Sequence, residues 1–186
     1  MHISDCHNVD DMRKLAKKKL PKPVFHYIDG GADDEITCKN NTYSFNDYEL
    51  IPNVLRDVSN IDTKVNVLGS QINLPFFCSP TALQKLFHYS GEMAVAKAAV
   101  KENIMFGVSS LSTTSVEDIA KKISSPKLFQ FYYHKDRELN NEMLDRAKAA
   151  KFDALALTVD TAVGGNRERD LITGLPKEIS ISQRQI

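Results

Sequence analysis

At 186 residues, with 42% hydrophobic and 26% charged side chains, the chain can form one ordinary domain with a real core, which excludes disordered and collagen-like classes. Its 24 basic and 24 acidic residues cancel, whereas a protein that neutralises phosphates carries a basic excess, so no nucleic-acid partner is expected. Cys6, Cys38 and Cys78 are widely spaced and form no CxxC cadence, as in a protein with reduced thiols, and no metal site is expected. No secretory h-region opens the sequence, and no apolar run approaches the roughly 20 residues needed to cross a bilayer. The expectation is a cytoplasmic protein, with peripheral attachment to the inner face of a membrane left open.

In chain order, residues 8–48 read as short helices. Val9 to Leu20 is charged and amphipathic, with a lysine-rich run (Arg13, Lys14, Lys17, Lys18, Lys19, Lys22) that reads as a solvated face. Pro21 and Pro23 break it. A second helix, Val24 to Ile28, ends at Gly30-Gly31, and Asp33-Asp34-Glu35 place acid in the first turn of a third. From residue 74 the pattern changes to strand and helix in alternation. Strands are expected at Leu74–Ser79, Ile104–Val108, Leu128–Tyr133 and Ala154–Val159. Helices are expected at Gly91–Glu102, Ser115–Ile123 with Ser115 as N-cap, and Arg137–Ala150. Short apolar strands about 25 residues apart imply a parallel sheet. The pattern suits a (β/α)₈ barrel and, nearly as well, an open doubly wound sheet.

In either fold, ligands bind at the C-terminal ends of the strands. Those ends carry Pro80-Thr81-Ala82-Leu83-Gln84 after the first strand and Ser109-Ser110-Leu111-Ser112-Thr113 after the second. On the third, Gln130 and Tyr132 share one face by alternation, and on the fourth Thr158 and Asp160 do. Polar groups inside apolar strands are costly to bury without partners. An uncharged hydrogen-bonding set at successive strand ends suits a flat, heteroatom-rich ligand. Arg167, after Gly164-Gly165, is the candidate cation for a substrate acid. Gly30-Gly31 is not a dinucleotide fingerprint, and His2, His7, His26, His88 and His134 show neither HxxxH nor HExxH spacing.

Four stretches taken together resemble the FMN-dependent 2-hydroxy-acid dehydrogenase/oxidase family, which includes glycolate oxidase and L-lactate dehydrogenases. They are Phe25-His26-Tyr27-Ile28-Asp29-Gly30-Gly31-Ala32, Ser79-Pro80-Thr81-Ala82-Leu83-Gln84, Phe129-Gln130-Phe131-Tyr132, and Leu157-Thr158-Val159-Asp160 leading to Asn166-Arg167-Glu168-Arg169-Asp170. The resemblance implies an α/β fold: an N-terminal helical segment (1–62), then the first four β/α units of a TIM-type (β/α)₈ barrel (63–186), truncated after the fourth strand. It implies FMN as cofactor and oxidation of a small L-2-hydroxy acid, lactate- or glycolate-like, to the 2-oxo acid. The backbone of Pro80, Thr81 and Ala82 would run along the reactive edge of the flavin. Ser109, Gln130 and Thr158 would hydrogen-bond its ring. Tyr27, Tyr132 and Arg167 would contact the substrate, and Asp160 would orient a catalytic histidine. Leu111 falls where pocket size varies in the family. Complete members are often tetrameric, which implies a homo-oligomer.

The resemblance also implies that the lysine beside the flavin, the histidine base, the carboxylate-clamping arginine and the phosphate loops belong to a C-terminal half of the barrel beyond Ile186. Two other readings stand beside the enzyme: a truncated, non-catalytic remnant that binds flavin or a partner, and an unrelated α/β binding domain. Half a barrel leaves open strand edges, which invite pairing with other chains. Expressed alone, the chain is therefore expected to be poorly soluble or oligomeric and to oxidise no hydroxy acid. Size-exclusion chromatography with a lactate and glycolate turnover assay checks this, and an active soluble monomer would refute it.

Overall fold

The computed structural model describes residues 2–175; the tail of the predicted second segment, 176–186, lies outside the described residues. The chain forms two units. One joins the residues up to Arg56 with the segment from Val163 onward, and the other holds Asp57–Ala162.

In the first unit, α1 (Val9–Lys19) is capped by Asn8, whose side chain accepts from the Asp11 amide, and it ends before Pro21 as expected. Its lysine run is solvent-exposed. The second helix, α2 (Lys22–Asp29), stops at Gly30. The third, α3 (Ile36–Tyr43), starts later than expected, because Glu35 takes a left-handed conformation (φ 59°) and Asp33-Asp34-Glu35 precede the helix. The acids are used elsewhere. Glu35 accepts from the Gly31 amide at 3.0 Å and pairs with Arg169. Arg169 also binds Asp29 at 2.9 Å, and Arg13 closes on the other Asp29 oxygen at 2.5 Å. Arg169 lies on α7 (Glu168–Thr173), a short helix for which the sequence gives no expectation, so the network ties α7 to α2.

In the second unit, a hairpin that the periodicity did not reveal comes first: β1 (Val65–Val67) pairs antiparallel with β2 (Ser70–Ile72). Leu68 (φ 49°) and Gly69 (φ 81°) both turn left-handed between the strands, as a tight two-residue hairpin requires. Next come α4 (Gly91–Glu102), β3 (Phe106–Ser109), α5 (Val116–Lys122), β4 (Lys127–Tyr132), α6 (Arg137–Ala149) and β5 (Ala154–Thr158). Ser115 caps α5 as predicted, accepting from the Asp118 amide at 3.1 Å. The strands form a parallel sheet in the order β3-β4-β5, with Ser109 beside Gln130 and Tyr132 beside Thr158.

The expectation of the first four β/α units, truncated after the fourth strand, is met in part: among the described residues the parallel sheet has three strands. Of the predicted strand Leu74–Ser79, only Cys78 pairs, in a single parallel bridge to Phe106. Pro75 has no amide to donate, and the Phe76 amide turns back to the Leu74 carbonyl at 2.8 Å, which bends the segment out of a ladder. The helix after β5, α7, belongs to the first unit, so the fourth unit has no helix of its own among the described residues.

Alternation along the strands separates two chemistries. Phe106, Val108, Phe129 and Phe131 point to the helix side, where Ala96, Ala99, Ile119, Ile123 and Ala147 close the core. The buried face of α6 runs through Asn140, Met143, Leu144 and Ala147, and Leu139 is exposed. On the opposite side, Ile72 of the hairpin packs with Met105 and Leu128, beside Val65, Val67, Ala154 and Ala156. The hairpin thus seals the N-terminal end of that face, and the polar residues occupy the C-terminal end.

The ionic network has a signature in acid. Asp29 is held below its ordinary value by the Arg13 hydrogen bond, against burial, with Arg169 adding to it; the Gly31 amide and then Arg169 do the same for Glu35. Because both native values are lowered, the stabilisation is complete above the ordinary carboxylate range, about 4, and is lost as pH falls below it through the native values. Arg169→Met should lower stability at neutral pH and flatten the acid limb. Urea unfolding followed by circular dichroism from pH 7 to pH 3 reads both effects.

Candidate functional site

At the C-terminal ends of the parallel strands, three predicted residues meet. Gln130, buried on β4, accepts at Oε1 from the Ser109 hydroxyl at 3.2 Å and from the Ser110 amide at 3.2 Å. Its Nε2 donates to the Thr158 hydroxyl on β5 at 2.7 Å. One amide therefore links three adjacent strands, and the cost of burying it is offset by these bonds. The Ser109 hydroxyl also accepts from the Leu111 amide at 3.1 Å, fixing the start of the loop in which Leu111 stands exposed. Tyr132, half-buried, continues the same face of β4 in register with Thr158.

Pro80, Thr81 and Ala82 lie on a loop that crosses β3 closely. The Cys78 amide donates to the Met105 carbonyl at 3.0 Å, and the Gly107 amide donates to Cys78 at 2.8 Å. A Cβ on Gly107 would lie 2.8 Å from Pro80 Cδ and 2.9 Å from the Cys78 oxygen, so only glycine lets the loop pass this near. Asp160 is exposed, two residues past the end of β5.

Tyr27 and Arg167 come together in the first unit. The Arg167 guanidinium donates from Nη2 to the Tyr27 carbonyl, lies over the Tyr27 ring at 5.3 Å, and donates from Nε to Asp170 at 2.6 Å. Arg167 is thus the N-cap residue of α7 and half-buried.

Two residues shape the site without having stood out in the sequence. Glu92 on α4 is fully buried and accepts hydrogen bonds from the loops on either side of Ser109. Asn140 on α6 closes the loop after Tyr132, accepting from the His134 amide at 2.9 Å and donating to its carbonyl at 2.8 Å. A helical signal existed for Glu92, because it stands four and seven residues before Ala96 and Ala99 on the inward face. Among the described residues, no group of His, Cys, Asp and Glu could hold a metal ion, and no helix is long and apolar enough to cross a membrane.

A sequence profile of the FMN-dependent dehydrogenases matches residues 16–186. The chain belongs to this family. Glycolate oxidase 3 of Oryza sativa subsp. indica is 42% identical over 164 residues, covering 88% of this chain and 45% of that protein. Among solved structures, a soluble mutant of the membrane-associated (S)-mandelate dehydrogenase from Pseudomonas putida is 36% identical with a TM-score of 0.86, covering 95% of this chain and 53% of that one. The monotopic membrane protein (S)-mandelate dehydrogenase gives 37% identity and a TM-score of 0.88, covering 97% and 48%. The chain therefore spans about half the length of the relatives it matches.

FMN is the cofactor of the FMN-dependent dehydrogenases, and the donor set of the row suits it. Ser109, Gln130 and Thr158 are neutral and can each donate or accept, as the alternating carbonyl and N–H groups of a flavin's pyrimidine edge require. The row carries no charge, so it suits the ring and not the phosphate. Gly107→Ala should force Pro80 away from β3 and destabilise the chain by about 1–3 kcal/mol. Urea unfolding measures this, and an unchanged midpoint would contradict the close crossing.

Proposed function

We propose that this chain supplies the flavin-holding face of an FMN-dependent enzyme that oxidises a small L-2-hydroxy acid, lactate- or glycolate-like, to the 2-oxo acid within a complete (β/α)₈ barrel. The observation that carries the reading is the uncharged row Ser109–Gln130–Thr158 across three parallel strand ends, with Ser109 and Gln130 buried and Thr158 half-buried. Residues 1–62 act as the helical segment that brings Tyr27, and residues 63–186 as the partial barrel.

When bound, FMN accepts the two electrons of the oxidation. The protein's part is orientation. Ser109, Gln130 and Thr158 hold the ring by exchanging some of their mutual hydrogen bonds for bonds to its edge. Pro80, Thr81 and Ala82 line it with backbone, and Tyr132 stands beside Thr158 to meet the substrate oxygen. Tyr27 and Arg167 take the carboxylate. The Arg167 guanidinium, held through Nε by Asp170 and through Nη2 by the Tyr27 carbonyl, supplies the positive charge for that anion. Asp160 fixes and charge-balances an imidazole supplied by the C-terminal half, as a carboxylate does in hydrolytic triads. The substrate and that C-terminal half are the partners, the complete protein is a homo-oligomer, and it works in the cytoplasm or at the inner face of a membrane.

FMN binding tests the reading. The chain should quench FMN fluorescence saturably, and Gln130→Leu should weaken binding by about tenfold, the worth of one or two lost hydrogen bonds. Joined to the C-terminal half of a family barrel, it should turn over lactate or glycolate. Absence of FMN binding in both forms would overturn the proposal, and binding without turnover in the joined protein would favour a non-catalytic flavin binder.

A further inference from the structure

We infer that Glu92 is a positioning residue for the cofactor face: a buried carboxylate that ties the loop carrying Pro80, Thr81 and Ala82 to the loop that follows Ser109, so that both meet one ligand ring in fixed register. The inference rests on reading that face as an FMN site.

Glu92 is the second residue of α4 and is 0% exposed. Its surroundings are donors and not cations. Oε1 accepts from the Gln84 amide at 3.3 Å and the Thr113 amide at 2.8 Å. Oε2 accepts from the Thr113 hydroxyl at 2.7 Å and the Thr114 hydroxyl at 2.9 Å. Burial alone would raise this carboxyl, but the bonds from Thr113 and Thr114 outweigh it and hold it below its ordinary value. It is therefore an ionised group in the interior, unfavourable in itself and compensated by charge-assisted hydrogen bonds.

Those bonds are distributed between two loops. Thr113 and Thr114 belong to the loop after β3, and Gln84 to the loop after the Cys78 bridge. The same junction is reinforced by the Lys85 amide on the Thr113 hydroxyl at 3.2 Å and by the Leu83 amide on the Leu111 carbonyl at 3.0 Å. The loop is pinned at Cys78 by its bridge to β3 and at residues 83–85 by this junction, with Pro80, Thr81 and Ala82 spanning the interval. Releasing the second anchor frees the span relative to Ser109, although Glu92 itself does not belong to the row. A carboxylate suits the task because both oxygens only accept. Glutamine keeps the shape and can offer its NH₂ to the two threonine hydroxyls, but it removes the charge that strengthens all four bonds.

The experiment uses the whole 186-residue chain in three forms, wild type, Glu92→Gln and Thr114→Val, titrated with FMN by fluorescence quenching. Hydrogen exchange is recorded over residues 79–85 and 110–114. Glu92→Gln is expected to weaken FMN binding by about tenfold and Thr114→Val by a smaller factor. In both, the bound flavin's absorption should shift toward that of free flavin. Exchange should quicken in both loops while β3, β4 and β5 keep their protection. A merely structural role would lower the melting temperature without moving affinity or spectrum. Should Glu92→Gln not fold, Thr114→Val decides by the same readings. Variants that match a binding wild type in affinity, spectrum and loop exchange overturn the positioning role alone. A wild type that binds no FMN, either alone or joined to the C-terminal half of a family barrel, overturns the site reading and this inference with it.

Discussion

A parallel strand must bury two faces, and here the register of β3, β4 and β5 assigns them opposite chemistry. With Ser109 beside Gln130 and Tyr132 beside Thr158, every second side chain goes to the helices and the others share one inward surface. A slip of one residue would put Phe129 and Phe131 on that surface and Gln130 among the helices. The hydrogen-bonded row, the crossing at Gly107 and the hairpin beneath all depend on this one alignment. The outer side of β5 shows its limit among the described residues: Leu155 and Leu157 are about half exposed, at 51% and 53%.

The two units manage charge in different ways. In the first, Arg13, Asp29, Arg169 and Glu35 alternate in sign, so each acid has a cation and each cation an acid. The arrangement joins segments far apart in sequence and places Arg167 beside Tyr27 as a by-product of helix docking. In the second, Glu92 has no cation partner among the described residues and relies on amides and hydroxyls. An ion pair tolerates some movement, because Coulomb energy falls slowly with distance. Hydrogen bonds from several directions do not, since they weaken steeply once misaligned. The stricter device is found where loop height matters.

Much of this was legible in the sequence, for reasons visible in particular residues. Pro21, Gly30 and Ser115 bound their helices because proline, glycine and a capping hydroxyl act locally. The alternation of Phe129-Gln130-Phe131-Tyr132 revealed a two-faced strand, and the polar residues read at the strand ends, Ser109, Gln130 and Thr158, meet in one row. What escaped was decided by distant partners. The hairpin spans only Val65–Ile72 and turns through Leu68, a residue that gives no turn signal. The short α7 gains its place from Arg169 bonding to Asp29 and Glu35, more than 130 residues earlier. Leu74–Ser79 has the composition of a strand, but Pro75 interrupts its ladder. Helical spacing puts Glu92 on the inward face with Ala96 and Ala99, but its role was not legible, because its donors lie in loops whose course is set by tertiary structure.

The hairpin also sets what can change at the base of the strand face. Ile72, Met105 and Leu128 are buried together there, and none of them offers a hydrogen bond of consequence to a ligand. The hydrogen-bonding groups of that face lie at its other end, in Ser109, Gln130 and Thr158. Trimming Ile72 would empty part of the core, whereas the strand-end loops can vary in length and side chain without disturbing it.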